Sequence, residues 1–343
     1  MIRPTTNGVL KNYRYQLSRN TVTLNSCRDT VLTGKRYSSF AEDPASVARS
    51  FQMRTNLLRT DSQFSTSQTA ARKYDIAWNT LSQVTDNVNE AKEAILRAKN
   101  DPTGAGLPAL GQQMEQLYQG MVRTMNVKYG DNYVFAGADG LNVPLEVSED
   151  GKLSYRGINV DSDDVKDVEA LKYLSENEHK FVDVGLGLQE DGNGNVIDTS
   201  AFDVSLQATY YLGSGVDDDG DPKNIASLIG RMGQILSNCD ADGNFKSVEE
   251  EEEFDRLSEK FDQASTYLSN KHTELDAQAA FLKDNQKQLE SSTYSLQEQI
   301  AEIENVDPAD AITAFSWAQY CYNSALKVGN SILSQSLMDY LNH

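Results

Sequence analysis

Every seventh residue from Phe254 to Ile303 is apolar: Phe254, Phe261, Leu268, Leu275, Leu282, Leu289, Leu296 and Ile303. No Gly or Pro interrupts the run, so the spacing predicts one continuous helix whose apolar stripe needs a partner along its length. At 1.5 Å rise per residue such a helix spans roughly 75 Å, more than a compact domain requires. The alternate seam positions begin as Leu257 and Ala264 but continue as Lys271, Gln278, Asn285, Ser292 and Gln299. The stripe is therefore narrow and half wet. It predicts contact with one neighbouring helix on a single line, with the other flank left to water or an adjacent subunit, and a helix acting as a spacer for an outer domain.

A second stripe answers it. Tyr74, Leu81, Val88 and Ile95, interleaved with Ala77, Val84, Ala91 and Ala98, form a strict seam in a stretch free of Gly and Pro from 45 to 100. Asp43 can cap that helix, with Pro44 at its first position. Before it, residues 9–32 place Leu10, Leu17, Leu24 and Val31 at sevens with Tyr13 and Cys27 between them, and Gly34 supplies a stop. After the break at 101–108, Leu110, Met114, Leu117, Met121 and Met125 mark a shorter helix. At the far end Asp307-Pro308 repeats the cap-and-start, and Ile312, Phe315, Ala318, Tyr322, Ala325, Val328, Ile332, Leu337 and Tyr340 give the last helix an apolar face. Two terminal helices with apolar stripes should pair with each other or await another molecule.

The middle has a different texture: fifteen of the 22 glycines lie between Gly130 and Gly243. Segments 133–139, 145–157 and 201–212 alternate like half-buried strands, Asp150-Gly151 is a hairpin signal, and 165–174 and 225–236 read as helices. The expected fold is mostly α, a long antiparallel helical rod or coiled coil built from both chain ends with an inserted α+β outer domain. The expected parts are terminal helices at 1–42 and 308–343 as an inner assembly layer, a rod at 43–132 and 246–307, and the outer domain at 133–245.

Charge and motifs exclude much. Of the net charge of −20, residues 1–60 contribute ten Lys/Arg against three Asp/Glu, so the remainder is strongly acidic and a poor partner for nucleic acid. No apolar run is long enough to cross a membrane, and the first residues lack the apolar core of a secretory signal. Cys27, Cys239 and Cys321 are too sparse for a disulfide framework or a zinc site. His179, His272 and His343 have no partner at ligand or triad spacing, and no nucleotide-binding or nucleophile motif occurs, so no catalytic, cofactor or metal residue is expected. Asp240, Asp242, Asn244 and Glu251 fit positions of a calcium loop, but Gly243 is misplaced and Phe245 stands where the sharp turn is needed. The acidic stretch 217–221 is weaker still, with Leu228 at the last ligand slot.

Several segments resemble the bacterial flagellin-like axial proteins. Thr33-Gly34-Lys35-Arg36 with Glu42-Asp43-Pro44-Ala45 is similar to the family's N-terminal signature, with Thr33 and Glu42 as mild departures. Tyr133-Val134-Phe135-Ala136-Gly137 resembles the segment that marks hook–filament junction members rather than filament flagellins. Residues 306–312, then Ser336-Leu337-Met338-Asp339-Tyr340-Leu341, are similar to the family's C-terminal helix. The resemblance singles out Gly34, Arg36, Asp43, Pro44, Phe135, Gly137, Asp339, Tyr340 and Leu341. It implies a structural, non-enzymatic subunit with no cofactor, self-assembling as a homo-oligomer in a helical ring between a neighbouring hook-associated protein and flagellin. It also implies export without a cleaved signal through the flagellar type III apparatus, with an export chaperone, and an extracellular location with neither nucleic acid nor membrane insertion. The expected assembly interface is Leu10, Tyr13, Leu17, Leu24, Val31, Ile312, Phe315, Tyr322, Val328, Ile332, Leu337 and Tyr340. Filament flagellin, or a calcium-binding or adhesive outer domain on a flagellin-like rod, are the alternatives.

Overall fold

The computed structural model describes residues 6–39, 41–100, 106–148, 150–192, 194–240 and 244–341, without the side chains of residues 6, 7 and 332–341. The helices are α1 (Thr6–Thr33), α2 (Pro44–Asn100), α3 (Gly106–Met125), α4 (Val165–Asn177), α5 (Ala208–Leu212), α6 (Ile225–Ser237), α7 (Val248–Glu304) and α8 (Pro308–Leu341). The strands are short: β1 (Lys128–Tyr129) pairs with β2 (Asn132–Tyr133), β3 (Leu145–Val147) with β4 (Leu153–Tyr155) and then β5 (Ile158–Asn159), and β6 (Phe181–Val182) with β7 (Phe202–Asp203), all antiparallel. Contacts group the chain into two units, Met1–Asp61 with Ser291–His343, and Ser62–Glu290. Both divisions fall inside long helices, α2 and α7.

Within the 62–290 unit the two seams meet. All eight patterned positions of α2 are buried, as are Phe254, Phe261, Leu268, Leu275, Leu282 and Leu289 of α7. Lys99 pairs with Asp255 at 3.0 Å, Lys92 with Asp262 at 2.8 Å and Lys283 with Asp75 at 3.2 Å, an antiparallel register. Burial then moves off the sevens: Leu296 and Ile303 are half-buried, and Ile300 and Glu304 are buried instead. A straight helix drifts about 20° per heptad against a strict seven-residue repeat, so one stripe cannot face one partner over all seven heptads of the pattern.

The expected wet flank of α7 is a correction. Asn285 Nδ2 donates to the Val184 carbonyl at 3.0 Å, Ser67 Oγ bonds Asn285 Oδ1 at 3.0 Å, and Tyr267 Oη donates to the Tyr210 carbonyl at 2.9 Å. Lys271 Nζ lies 3.7 Å from the centroid of the Tyr210 ring. Lys271 and Asn285 thus hold the inserted region against the helix, and in this unit α7 is a packing surface for the insertion.

The same hydrophobic cluster continues where α3 crosses α6. A Cβ on Gly111 would stand 2.4 Å from the Ser237 backbone N, and one on Gly233 3.1 Å from the Glu115 N, so the helices touch backbone to backbone. Asn224 caps α6 through Ala226 N at 2.9 Å and also donates to the Gly213 carbonyl at 2.8 Å, while wholly buried. The Asp150-Gly151 turn joins β3 to β4, with Gly151 at φ 76° donating to the Ser148 carbonyl at 2.8 Å. Residues 201–212, expected as one strand, are a two-residue strand followed by a bridge and the helix α5.

Candidate assembly face

Unit Met1–Asp61 with Ser291–His343 has almost no core of its own. Among its described residues only Ser50, Ile300, Glu304, Ala311, Ala318 and Gly329 are buried. α1 and α8 pack on each other, with half-buried Leu10, Tyr13, Leu17 and Leu24 on one side and Phe315 and Tyr322 on the other. The tightest point is Gly329, where an added Cβ would lie 2.0 Å from Tyr13 Oη; the glycine is a notch for the phenol ring.

That pairing uses one face only. Tyr15, Val22 and Leu32 on α1 are 61%, 66% and 75% exposed, and Trp317 and Tyr320 on α8 are 67% and 64% exposed, their rings stacked at 5.7 Å. Val31, Ile312 and Val328 of the expected interface are also exposed, as are Phe51 and Leu58 on the first turns of α2. Leu10, Tyr13, Leu17, Leu24, Phe315 and Tyr322 instead line the seam within the chain. The side chains of Ile332, Leu337 and Tyr340 lie outside the described residues. Heptad reasoning missed Tyr15, Val22, Trp317 and Tyr320 because it finds the stripe that closes first; a search for apolar residues off that stripe would have found them.

The helix ends are joined by one carboxylate. Glu304, 11% exposed at its side chain, receives Arg54 Nε at 2.7 Å and Nη2 at 2.6 Å, Lys35 Nζ at 3.3 Å and the Ser50 hydroxyl. The Arg54 guanidinium, with Ser50 and Lys35, outweighs burial and holds the Glu304 carboxyl down at about 2. The backbone adds two bonds, Arg36 N to the Glu304 carbonyl at 2.7 Å and Val306 N to the Gly34 carbonyl at 3.0 Å, with Gly34 at φ 67°. Asp43 Oδ1 accepts from Ser46 N at 3.1 Å and Asp307 Oδ1 from Ala309 N at 2.7 Å, so both Asp-Pro pairs start their helices as expected. The Arg36 backbone therefore meets α7 at Glu304 and Gly34 meets Val306 just beyond it, while Asp43 and Pro44 open the helix that carries Arg54.

Phe135 and Gly137 belong elsewhere, in the core of the other unit. Phe135 is buried edge-on against Tyr211 at 5.7 Å, and Gly137 N donates to the Leu206 carbonyl at 2.8 Å. Gly137 at φ 75° leaves 3.3 Å between an added Cβ and Gln207, so this segment is a packing motif. Asp339, Tyr340 and Leu341 continue α8, with side chains outside the described residues.

Among the described residues Asp217, Asp219 and Asp221 bring carboxyl oxygens within 4.8 Å of one another. Lys260 Nζ sits among them at 2.6, 2.9 and 2.5 Å, and Arg256 adds bonds of 2.6 and 3.1 Å to Asp221. The ammonium takes the place a metal would need. Asp240 turns back on Asn244, while Asp242 and Gly243 lie outside the described residues. His179 is paired with Asp203 at 2.6 Å, which raises its pKa, and His272 lies against Trp78 at 5.3 Å; His343 lies outside the described residues. No described helix is long and apolar enough to cross a membrane.

Residues 5–139 match the family model of the bacterial flagellin N-terminal helical region. Among solved structures the chain is similar to one described as a flagellar hook-associated protein of Vibrio parahaemolyticus, at 12% identity and TM-score 0.54, covering 77% of this chain and 100% of that one. It is also similar to flagellar hook-associated protein-3 of Legionella pneumophila, at 14% identity and TM-score 0.50, covering 74% and 99%. No curated protein matches the sequence. At these identities the structural likeness is one of fold.

Proposed function

We propose that this chain, flagellin-type over residues 5–139, is a structural subunit of the bacterial flagellum that joins hook to filament by helical self-assembly of its terminal helices. The observation that carries the reading is the unit built from both chain ends: a helical pair with large apolar side chains outward and little buried within. Exposed Tyr15, Val22, Trp317 and Tyr320 form apolar surface of the kind that marks an interaction site. The fold shared with hook-associated proteins supports placement next to the hook, and the 133–137 segment supports the junction over the filament. Its partners are then other copies of itself, a neighbouring hook-associated protein and flagellin, reached by export through the flagellar apparatus with a chaperone. The role is structural, not enzymatic.

Electron microscopy of the protein mixed with purified hooks tests this: discrete caps on hook ends are expected. Trp317→Ser with Tyr320→Ser should remove the caps while leaving helix content unchanged, since both side chains face outward. Unaltered capping by that double variant, or no capping by the natural chain, would overturn the reading.

A further inference from the structure

His179, two residues beyond the end of α4, has an acceptor at each ring nitrogen. Nδ1 lies 2.6 Å from Asp203 Oδ2 on β7, and Nε2 lies 3.2 Å from the Glu176 carbonyl in the last turn of α4. The Asp203 carboxylate is held as an acceptor on its other oxygen too, taking Ser205 N at 2.8 Å, Ser205 Oγ at 2.6 Å and Lys180 N at 3.3 Å. A neutral imidazole has one N–H and can donate to only one of these two partners, whereas the imidazolium donates to both. The geometry therefore favours the charged ring. Its bond to Asp203 holds the His179 pKa above the ordinary 6.5, with burial a weaker opposing effect.

The charges around the ring come from several elements. Asp198 also favours the cation, and the Glu176 carboxylate stands 3.8 Å from Lys172 on α4. Glu274 of α7, which accepts from Tyr210 Oη at 2.8 Å, lines the same cleft of about 220 Å³ as His179 and Asp203. Lys73 of α2 and Lys180 are the cations beside Asp203. Of these side-chain types only imidazole ordinarily changes charge between about pH 5 and 8. What the ring holds is lightly packed: Leu171 is the one buried residue of α4, and Val165, Val168 and Tyr173 are exposed. Gln207 Nε2 donates to the Leu174 carbonyl at 2.7 Å, and Glu178, just past the helix, pairs with Arg156. Through Val168, Leu171 and Lys172 this helix walls a groove of about 620 Å³, opposite Ala264 and Tyr267 of α7.

We propose that His179 is a proton-operated clasp, fixing the end of α4 to β7 while its ring is charged and freeing that wall of the groove when the ring is neutral. Because the folded-state value is raised, the stabilisation is complete below the ordinary 6.5 and is lost as pH rises through the folded value. Hydrogen exchange on the full-length chain between about pH 5.5 and about pH 8.5, with rates corrected for the intrinsic effect of pH, tests this. Relative to the α2 amides 84–98, the α4 amides 168–177 should open about two- to five-fold more at the alkaline end. His179→Gln keeps a polar side chain but no titrating charge, and should hold α4 at the alkaline level throughout. Proton NMR of the natural chain, with the resonance assigned by its loss in that variant, should show the imidazole titrating above 6.5. Opening of α4 that does not change with pH, the same pH dependence in His179→Gln, or an imidazole that titrates at or below 6.5 overturns the proposal.

Discussion

Glu304 shows how much one residue can hold. Its carboxyl, at about 2 in the folded chain against an ordinary 4.5, is bound by Arg54, Ser50 and Lys35. A depressed acid contributes stability that is complete above its unfolded value and is lost as pH falls through its folded one. Between pH 4.5 and 2 the join should therefore weaken. Discounted for the half-exposed Arg54 and Lys35, it is worth about 1–2 kcal/mol at neutral pH. Glu304→Gln should cost that amount in urea unfolding followed by helix signal at pH 7, with the gap to the natural chain closing towards pH 2. A gap that stays constant with pH would assign the effect to packing. Nothing local in the sequence marks Glu304: its partners are 250 residues or more away, and the heptad rule places Ile303, not Glu304, on the seam.

At the scale of elements, what was legible is what repeats. The eight seam positions of α2 and the glycine and Asp-Pro boundaries follow from spacing, because a helix expresses its period in every turn. The misread parts depend on contacts between segments. Phe202, Val204, Leu206 and Ala208 alternate, so 201–212 looks like a strand; yet Ala208, Tyr211 and Leu212 are all buried, and a chain with burial on successive sides can turn into a helix just as well. Lys271 and Asn285 looked like solvated seam positions because the atoms they hold, Tyr210 and the Val184 carbonyl, are 61 and 101 residues away in sequence. The glycines of the α3–α6 crossing were counted but not placed, and they separate cleanly by substitution. Gly111→Ala drives a methyl to 2.4 Å from Ser237 N, whereas Gly120 on the same helix has nothing within 4 Å. The first should destabilise by about 1–3 kcal/mol through overpacking, and the second should stabilise by about 0.5–1 kcal/mol through helix propensity. Urea midpoints for the two variants check this, and equal shifts would show that the crossing is looser than its geometry.

For the whole molecule, burial is divided unequally between the two units, and that inequality has a physical consequence. The hydrophobic cluster runs through residues 70–282, while the terminal helices bury little beyond their mutual seam. Ordering a residue costs about 1–2 kcal/mol of backbone entropy, and a helical pair with most of its large apolar side chains in water has little to set against that. Local opening should accordingly be far easier in 6–33 and 308–331 than in 70–98 and 254–282. Hydrogen exchange on the free monomer should show the terminal helices exchanging orders of magnitude faster, with protection appearing there on assembly and changing little in the core. Protection of the terminal pair equal to that of the core before assembly would mean that its stripe is already satisfied. The exposed Tyr15, Val22, Trp317 and Tyr320 would then be ordinary surface, and the terminal pair would no longer carry the assembling role.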